Sequence, residues 1–96
     1  MQVRATRPVE VESARELLQA STWGKRAADR KAFADLVNRS QIALVAVEGE
    51  EFIGFLRELT DGIFNGYISM VVVDEEHRGK GVGTALDRSA MARTVK

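Results

Sequence analysis

The chain has 96 residues, 45% of them apolar, with six aromatic side chains and a single tryptophan, the make-up of one compact domain (1–96) whose stability margin is thin because a short chain buries a small share of its surface. Fourteen basic and fourteen acidic residues cancel, which argues against nucleic acid or an anionic membrane as a partner. Cysteine is absent, which excludes disulfides, a thiol nucleophile and every Cys-ligated metal site; no metal site is assigned.

The opening Met1-Gln2-Val3-Arg4 has no apolar h-region, and no apolar stretch approaches the length that spans a bilayer, so a soluble, cytoplasmic protein is expected. Val3 to Thr6 is a short β-prone run, ended by Arg7-Pro8 because proline lacks a donor and biases its predecessor toward extended geometry. Val11, Ala14, Leu17 and Leu18 then repeat at helical spacing, with Glu10, Glu12, Arg15, Glu16 and Gln19 on the opposite, polar face. Residues Ser21 to Ala28, containing Trp23-Gly24-Lys25-Arg26, show no period and read as a loop or broken helix. A second helix follows, with Asp29 as N-cap and Phe33, Leu36 and Val37 as its apolar stripe up to Asn38-Arg39-Ser40.

Ile42 to Val47 is almost continuously apolar, the pattern of a strand covered on both faces. Glu48-Gly49-Glu50-Glu51 breaks it, and Phe52 to Leu59 resumes strand composition, which together predict an antiparallel hairpin. Asp61-Gly62 and Asn65-Gly66 are further turn signals. Tyr67 to Val73 is the most β-prone run and a second candidate for a buried strand. After Asp74-Glu75-Glu76-His77 comes Arg78-Gly79-Lys80-Gly81-Val82-Gly83-Thr84, and then Val82, Ala85, Leu86 and Ala90 at helical spacing. The order is strand, helix, helix, strand, strand, strand, helix, an α/β (α+β) sandwich around a mixed, mostly antiparallel sheet flanked by helices.

Chemistry points to the last junction. Glycines at 79, 81 and 83, where a strand gives way to a helix, leave backbone N–H groups free to converge on an anion with no Cβ in the way. The helix that starts there adds its positive dipole end. The Walker pattern fails for want of a Gly-Lys-Ser/Thr triplet, and the dinucleotide fingerprint fails because threonine stands at 84 where it needs glycine. What fits is R-x-x-G-x-G, from Arg78 through Gly81 to Gly83, after a strand ending Val-Val-Val-Asp.

With those residues, and with this element order along the whole chain, the sequence resembles the GNAT superfamily of N-acetyltransferases. One departure is Glu75, where members often have proline. The resemblance implies acetyl-CoA as co-substrate, its pantetheine arm running beside the backbone of Val71 and Val73 and its pyrophosphate held by Arg78, Gly79, Lys80, Gly81, Val82, Gly83 and Thr84. It also implies attack of a primary amine on the thioester, a backbone amide of the fourth strand as oxyanion donor, and a base to take the ammonium proton, since such an amine has a pKa near ~10.4.

In the family the chain continues past this helix into a fifth strand, a fourth helix and further strands, and the later helix often carries a tyrosine that protonates the leaving thiolate. Relative to that pattern this sequence reads as truncated after the third helix, and Tyr67, its only tyrosine, opens the fourth strand and takes no such role. The strand Ile68 to Val73 would then have no neighbour on one side, so a homodimer covering that edge, or a longer parent chain, is expected.

Other residues have plainer readings. Trp23 reads as a packing residue, although in the family its loop borders the acceptor site; His77 reads as a solvated side chain and Ser69 as a strand residue. Arg78 and Lys80 read as ligand contacts rather than bare surface charges. Glu48, Glu50, Glu51 and Glu58 are carboxylates with nothing to single one out, so catalytic residues stay unknown. The expected function is acetyl transfer from acetyl-CoA to an amine; the alternative is a non-catalytic acyl-CoA-binding or protein-interaction module that kept the fold's front half, with a nucleotide-binding protein third.

Overall fold

In the computed structural model, which describes residues 1–20, 27–61, 63 and 65–94, the β-prone runs pair into a four-stranded sheet. Its strands, hydrogen-bonded in sequence order, are β1 (Gln2–Ala5), β2 (Ile42–Glu48), β3 (Glu51–Thr60) and β4 (Gly66–Val73). The helices are α1 (Val11–Gln19), α2 (Arg30–Arg39) and α3 (Val82–Thr94), with single 3-10 turns at Pro8–Glu10 and Glu75–His77. Among the described residues every strand pair is antiparallel. Short turns allow nothing else for β2–β3 and β3–β4. Gly49, at φ 62°, closes the first of these hairpins between Glu48 and Glu51.

Helix α1 starts where the 3-10 turn at Pro8 has already set the backbone direction, and α2 starts at its expected cap: Asp29 Oδ1 accepts the Ala32 N–H at 3.0 Å. Both helices cover one face of the sheet. Their core joins Leu18 and Phe33 to Val45, Phe55 and Met70, and the rings of Phe33 and Phe55 pack with centroids 5.9 Å apart. The other face packs Leu44, Ile53 and Leu56 against Val82, Leu86 and Ala90 of α3. Each buried Leu or Phe contributes roughly 1.5–3 kcal/mol. Covered on both sides, β2 is the buried strand its composition predicts, with Leu44, Val45 and Ala46 at most 1% exposed.

Strand β4 departs from its expected burial. Met70 and Val72 are buried, but Tyr67, Ile68 and Val71 are 67%, 37% and 40% exposed, because β4 lies at the sheet's edge. Two polar assignments also change. Glu10 and Arg15, read as outer-face residues of the first helix, are 8% and 6% exposed. Each is paired where it is buried: Glu10 with the half-buried Arg4, and Arg15 with the partly exposed Glu12 and with the Ala27 carbonyl at 3.0 Å. Trp23 lies outside the described residues, as do residues 21–26 of its loop as a whole.

Candidate anion-binding site at the β4–α3 junction

Strand β4 ends at Val73, and the chain is tied down immediately afterwards by the Asp74 N–H, which donates to the Ile53 carbonyl at 2.8 Å. The 3-10 turn is closed by the His77 N–H to the Asp74 carbonyl at 2.9 Å, and His77 Nδ1 also lies 2.9 Å from Asp74 Oδ2. His77 is therefore a largely covered, paired side chain, 17% exposed, and not the solvated one its isolation in the sequence suggested. Arg78 turns back, its Nε donating to the Val73 carbonyl at 3.3 Å.

Beyond Arg78 the backbone enters the left-handed region at Gly79 (φ 78°) and Gly81 (φ 83°), where any other residue would be strained. A Cβ at either position would meet nothing within 4 Å, so these glycines answer a backbone requirement and leave the rim of the loop open. The first bond of the helix runs from the Ala85 N–H to the Gly81 carbonyl at 3.0 Å. Among the described residues the amides of Gly79, Lys80, Gly81, Val82, Gly83 and Thr84 have no acceptor. Unsatisfied N–H groups gathered at the positive end of a helix dipole form an anion cradle.

The structure gathers Val73, Arg78, Gly79, Gly81, Val82, Gly83 and Thr84, with His77, around one hollow of about 270 Å³. Lys80 faces an adjoining hollow that it shares with Met1, Glu48 and Ile53, and Val71 stands on the open edge of β4, outside both. At about 270 Å³ the hollow lies just below the ~300–1,000 Å³ usual for small-molecule sites. A larger hollow of about 490 Å³ sits at the opposite end of β4, beside Gly66 and Tyr67; among the described residues no cationic side chain lines it.

The sequence model of the acetyltransferase (GNAT) family matches residues 10–94. This chain belongs to that family. Solved GNAT structures superpose on it closely. An aminoglycoside 6'-N-acetyltransferase crystallised with coenzyme A is 25% identical, covers 98% of this chain and 55% of its own, and has a TM-score of 0.82. The aminoglycoside 6'-N-acetyltransferase from Enterococcus faecium gives 24%, 98%, 55% and 0.81. Ard1 from Thermoplasma volcanium gives 23%, 95%, 61% and 0.79. The last two establish the fold alone, and the chain spans little more than half the length of each of these structures. No curated protein matches the sequence at significance. Among the described residues no helix is long and apolar enough to cross a membrane.

Three features of this GNAT chain were not read from its sequence. Glu51, Asp74 and His77 bring one ligand atom each within 4.8 Å of one another at the foot of the loop. These are three protein donors, fewer than the four of a structural zinc site, and Glu51 comes from the neighbouring strand β3, which no spacing rule reveals. Glu58 is 2% exposed under the end of α3, where the Thr94 hydroxyl donates to its Oε2. Ser69 sits at a register shift between β3 and β4 and accepts from Arg57 Nη1 at 2.9 Å. Its only sequence signal was a lone hydroxyl inside an apolar strand.

Proposed function

We propose that this GNAT chain binds acetyl-CoA and transfers its acetyl group to a primary amine. The observation that carries the reading is the set of acceptor-less amides from Gly79 to Thr84 at the start of α3. They match what a diphosphate needs: several N–H donors, a positive dipole end and no side chain in the way. In the proposed complex these amides hold the diphosphate, with Arg78 and Lys80 contributing positive charge beside it. The backbone at Val71 and Val73 runs alongside the pantetheine arm in the manner of an added strand. Acetyl-CoA supplies an activated thioester: the amine nitrogen forms the C–N bond as the C–S bond breaks, the proton the nitrogen loses goes to a base, and sulfur departs as thiolate, which takes a proton from solvent to become the thiol. No residue here is assigned as that base.

The acceptor is proposed to be a small-molecule or peptide amine, aminoglycosides being one class to include because similar structures act on them. A homodimer is proposed to cover the open edge of β4, where Tyr67, Ile68 and Val71 are exposed. A cytoplasmic location is proposed with it. The second reading, a non-catalytic acyl-CoA-binding module, is favoured by the position of Tyr67, 67% exposed at the end of β4 away from the loop, which leaves no tyrosine near the proposed thiolate.

Calorimetry with acetyl-CoA, followed by thiol release across a panel of aminoglycosides, polyamines and peptides, separates the readings. Binding with release supports transfer, binding without release supports the module, and no binding overturns both. Solution scattering tests the dimer: a monomer whose β4 amides exchange freely would refute it.

A further inference from the structure

Arg57 lies near the middle of β3, on the sheet face covered by α1 and α2, and is half-buried. Among the described residues no carboxylate lies within ion-pairing distance of it. Its donors go to hydroxyls instead: Nε to Ser40 Oγ at 2.7 Å and Nη1 to Ser69 Oγ at 2.9 Å. Ser40 Oγ in turn donates to the Leu36 carbonyl at 2.7 Å, so one chain of bonds runs from the last turn of α2, across β3, to β4.

Its far end is where β4 loses register. Met70 stands opposite Arg57 and Ile68 opposite Glu58, which leaves Ser69 as the extra residue of a bulge. A bulge shifts the alternation of side chains by one. Ile68, Val71 and Val73 consequently share the α3 side, while Met70 and Val72 turn into the α1–α2 core. Without the extra residue, Ile68 and Met70 would point the same way and one of them would leave its environment.

We infer that Arg57 is a positioning residue: by holding the Ser69 hydroxyl it fixes this bulge, and so sets the course of the β4 edge beside which the acyl-carrying arm is proposed to lie. The inference rests on the acyl-CoA reading for its functional meaning but makes a separate claim about the free protein. A guanidinium is suited to the task because its rigid fork reaches two acceptors on different elements at once, which a lysine ammonium on a flexible stem does not do equally well.

The test uses Arg57→Ala, Arg57→Lys and Ser69→Ala, with two readouts. In the ligand-free protein, amide exchange at Ser69, Met70 and Val71 is compared with exchange in β2. In binding, acetyl-CoA is compared with ADP, a probe that carries a diphosphate and no pantetheine. Arg57→Ala is expected to speed exchange at the bulge selectively and to weaken acetyl-CoA by about tenfold or more while ADP changes by less than about twofold. Ser69→Ala should reproduce this, and Arg57→Lys should restore part of it. Unchanged exchange at the bulge, or equal losses for both ligands, overturns the inference. If Arg57→Ala does not fold, Ser69→Ala, which removes only the acceptor, decides. If the wild type binds neither ligand, the acyl-CoA reading fails, and exchange in the free protein still decides what Arg57 does.

Discussion

A methyl group on Gly66 would sit 2.1 Å from Oε2 of Glu58, so the first residue of β4 lies directly over a carboxylate that is 2% exposed. The Thr94 hydroxyl is within hydrogen-bonding reach of that carboxylate and of the Ala90 carbonyl, and its single proton serves one at a time. Gly66 thus lets β4, the buried end of β3 and the last turn of α3 close together. Gly66→Ala is expected to lower stability by about 1–3 kcal/mol, read as a lower urea midpoint, because the carboxylate has no room to retreat. Acetyl-CoA affinity should change little, since the anion cradle lies at the other end of β4.

Arg4 and Glu10 make the protein's acid sensitivity predictable. Both guanidinium nitrogens of Arg4 bond the carboxylate, at 2.7 and 2.6 Å, and the Arg7 N–H donates to it at 2.8 Å. The Arg4 bonds outweigh the opposing effect of burial and, with the Arg7 amide, hold the Glu10 pKa at about 2 instead of the usual 4.5. A carboxylate whose pKa is lowered by folding contributes stability that is complete above 4.5 and is lost as pH falls toward about 2. Glu10→Gln should therefore cost about 1–3 kcal/mol at pH 7, a range discounted for the pair's partial exposure. Urea unfolding at a series of pH values should show that cost shrinking below pH 4.5 and vanishing near pH 2.

Features set by local backbone chemistry are legible in the sequence. The run Ile42 to Val47 has no polar residue and must be covered twice, the Asp29 carboxylate is three residues from the amide it caps, and Gly79 and Gly81 flag the two left-handed positions of the loop. Features that depend on which residues meet across the sheet are not. Glu10 looks like a surface charge until Arg4 of β1 is seen beside it, and Arg15 until the Ala27 carbonyl is. Composition made β4 look buried because β-propensity reports fit to a pleated surface; its place at the sheet's edge was expected only from the family's strand order. The bulge at Ser69 was hidden for a related reason: it is a mismatch between two strands, and neither strand contains it alone.

Gly81 and Gly83 should separate stability from ligand binding. Gly81 has φ 83°, so alanine there is strained and is expected to cost about 1–2 kcal/mol. Gly83 lies within α3 at an ordinary helical conformation, and a Cβ on it would make a normal 3.7 Å contact with Val73. Alanine at 83 should raise stability by up to about 1 kcal/mol through helix propensity. Both substitutions alter the hollow that the loop encloses, so both should weaken acetyl-CoA by about tenfold or more. Thermal melts paired with calorimetry check this, and a Gly83→Ala protein that binds as well as the wild type would argue against the loop as the diphosphate site.

Gly54 connects the core to the same loop. A Cβ there would come within 2.9 Å of Leu86 Cδ1 and 3.0 Å of Val82 Cγ1, so β3 and α3 approach closely because this strand position has no side chain. Leu86 can give way by rotating its terminal methyl, but Val82 is stiff, 3% exposed and the first residue of α3. Gly54→Ala should therefore cost about 1 kcal/mol, and Gly54→Val about 1–3 kcal/mol. The larger residue can be housed only by pushing the first turn of α3 off the sheet, which spreads the amides of Gly81, Val82 and Gly83. Its expected signature is a drop of about tenfold in ADP and acetyl-CoA affinity together, because the diphosphate common to both loses its donors. Arg57→Ala, by contrast, is expected to spare ADP, so the two variants report on opposite ends of one ligand: the first on the cradle and the second on the course of β4.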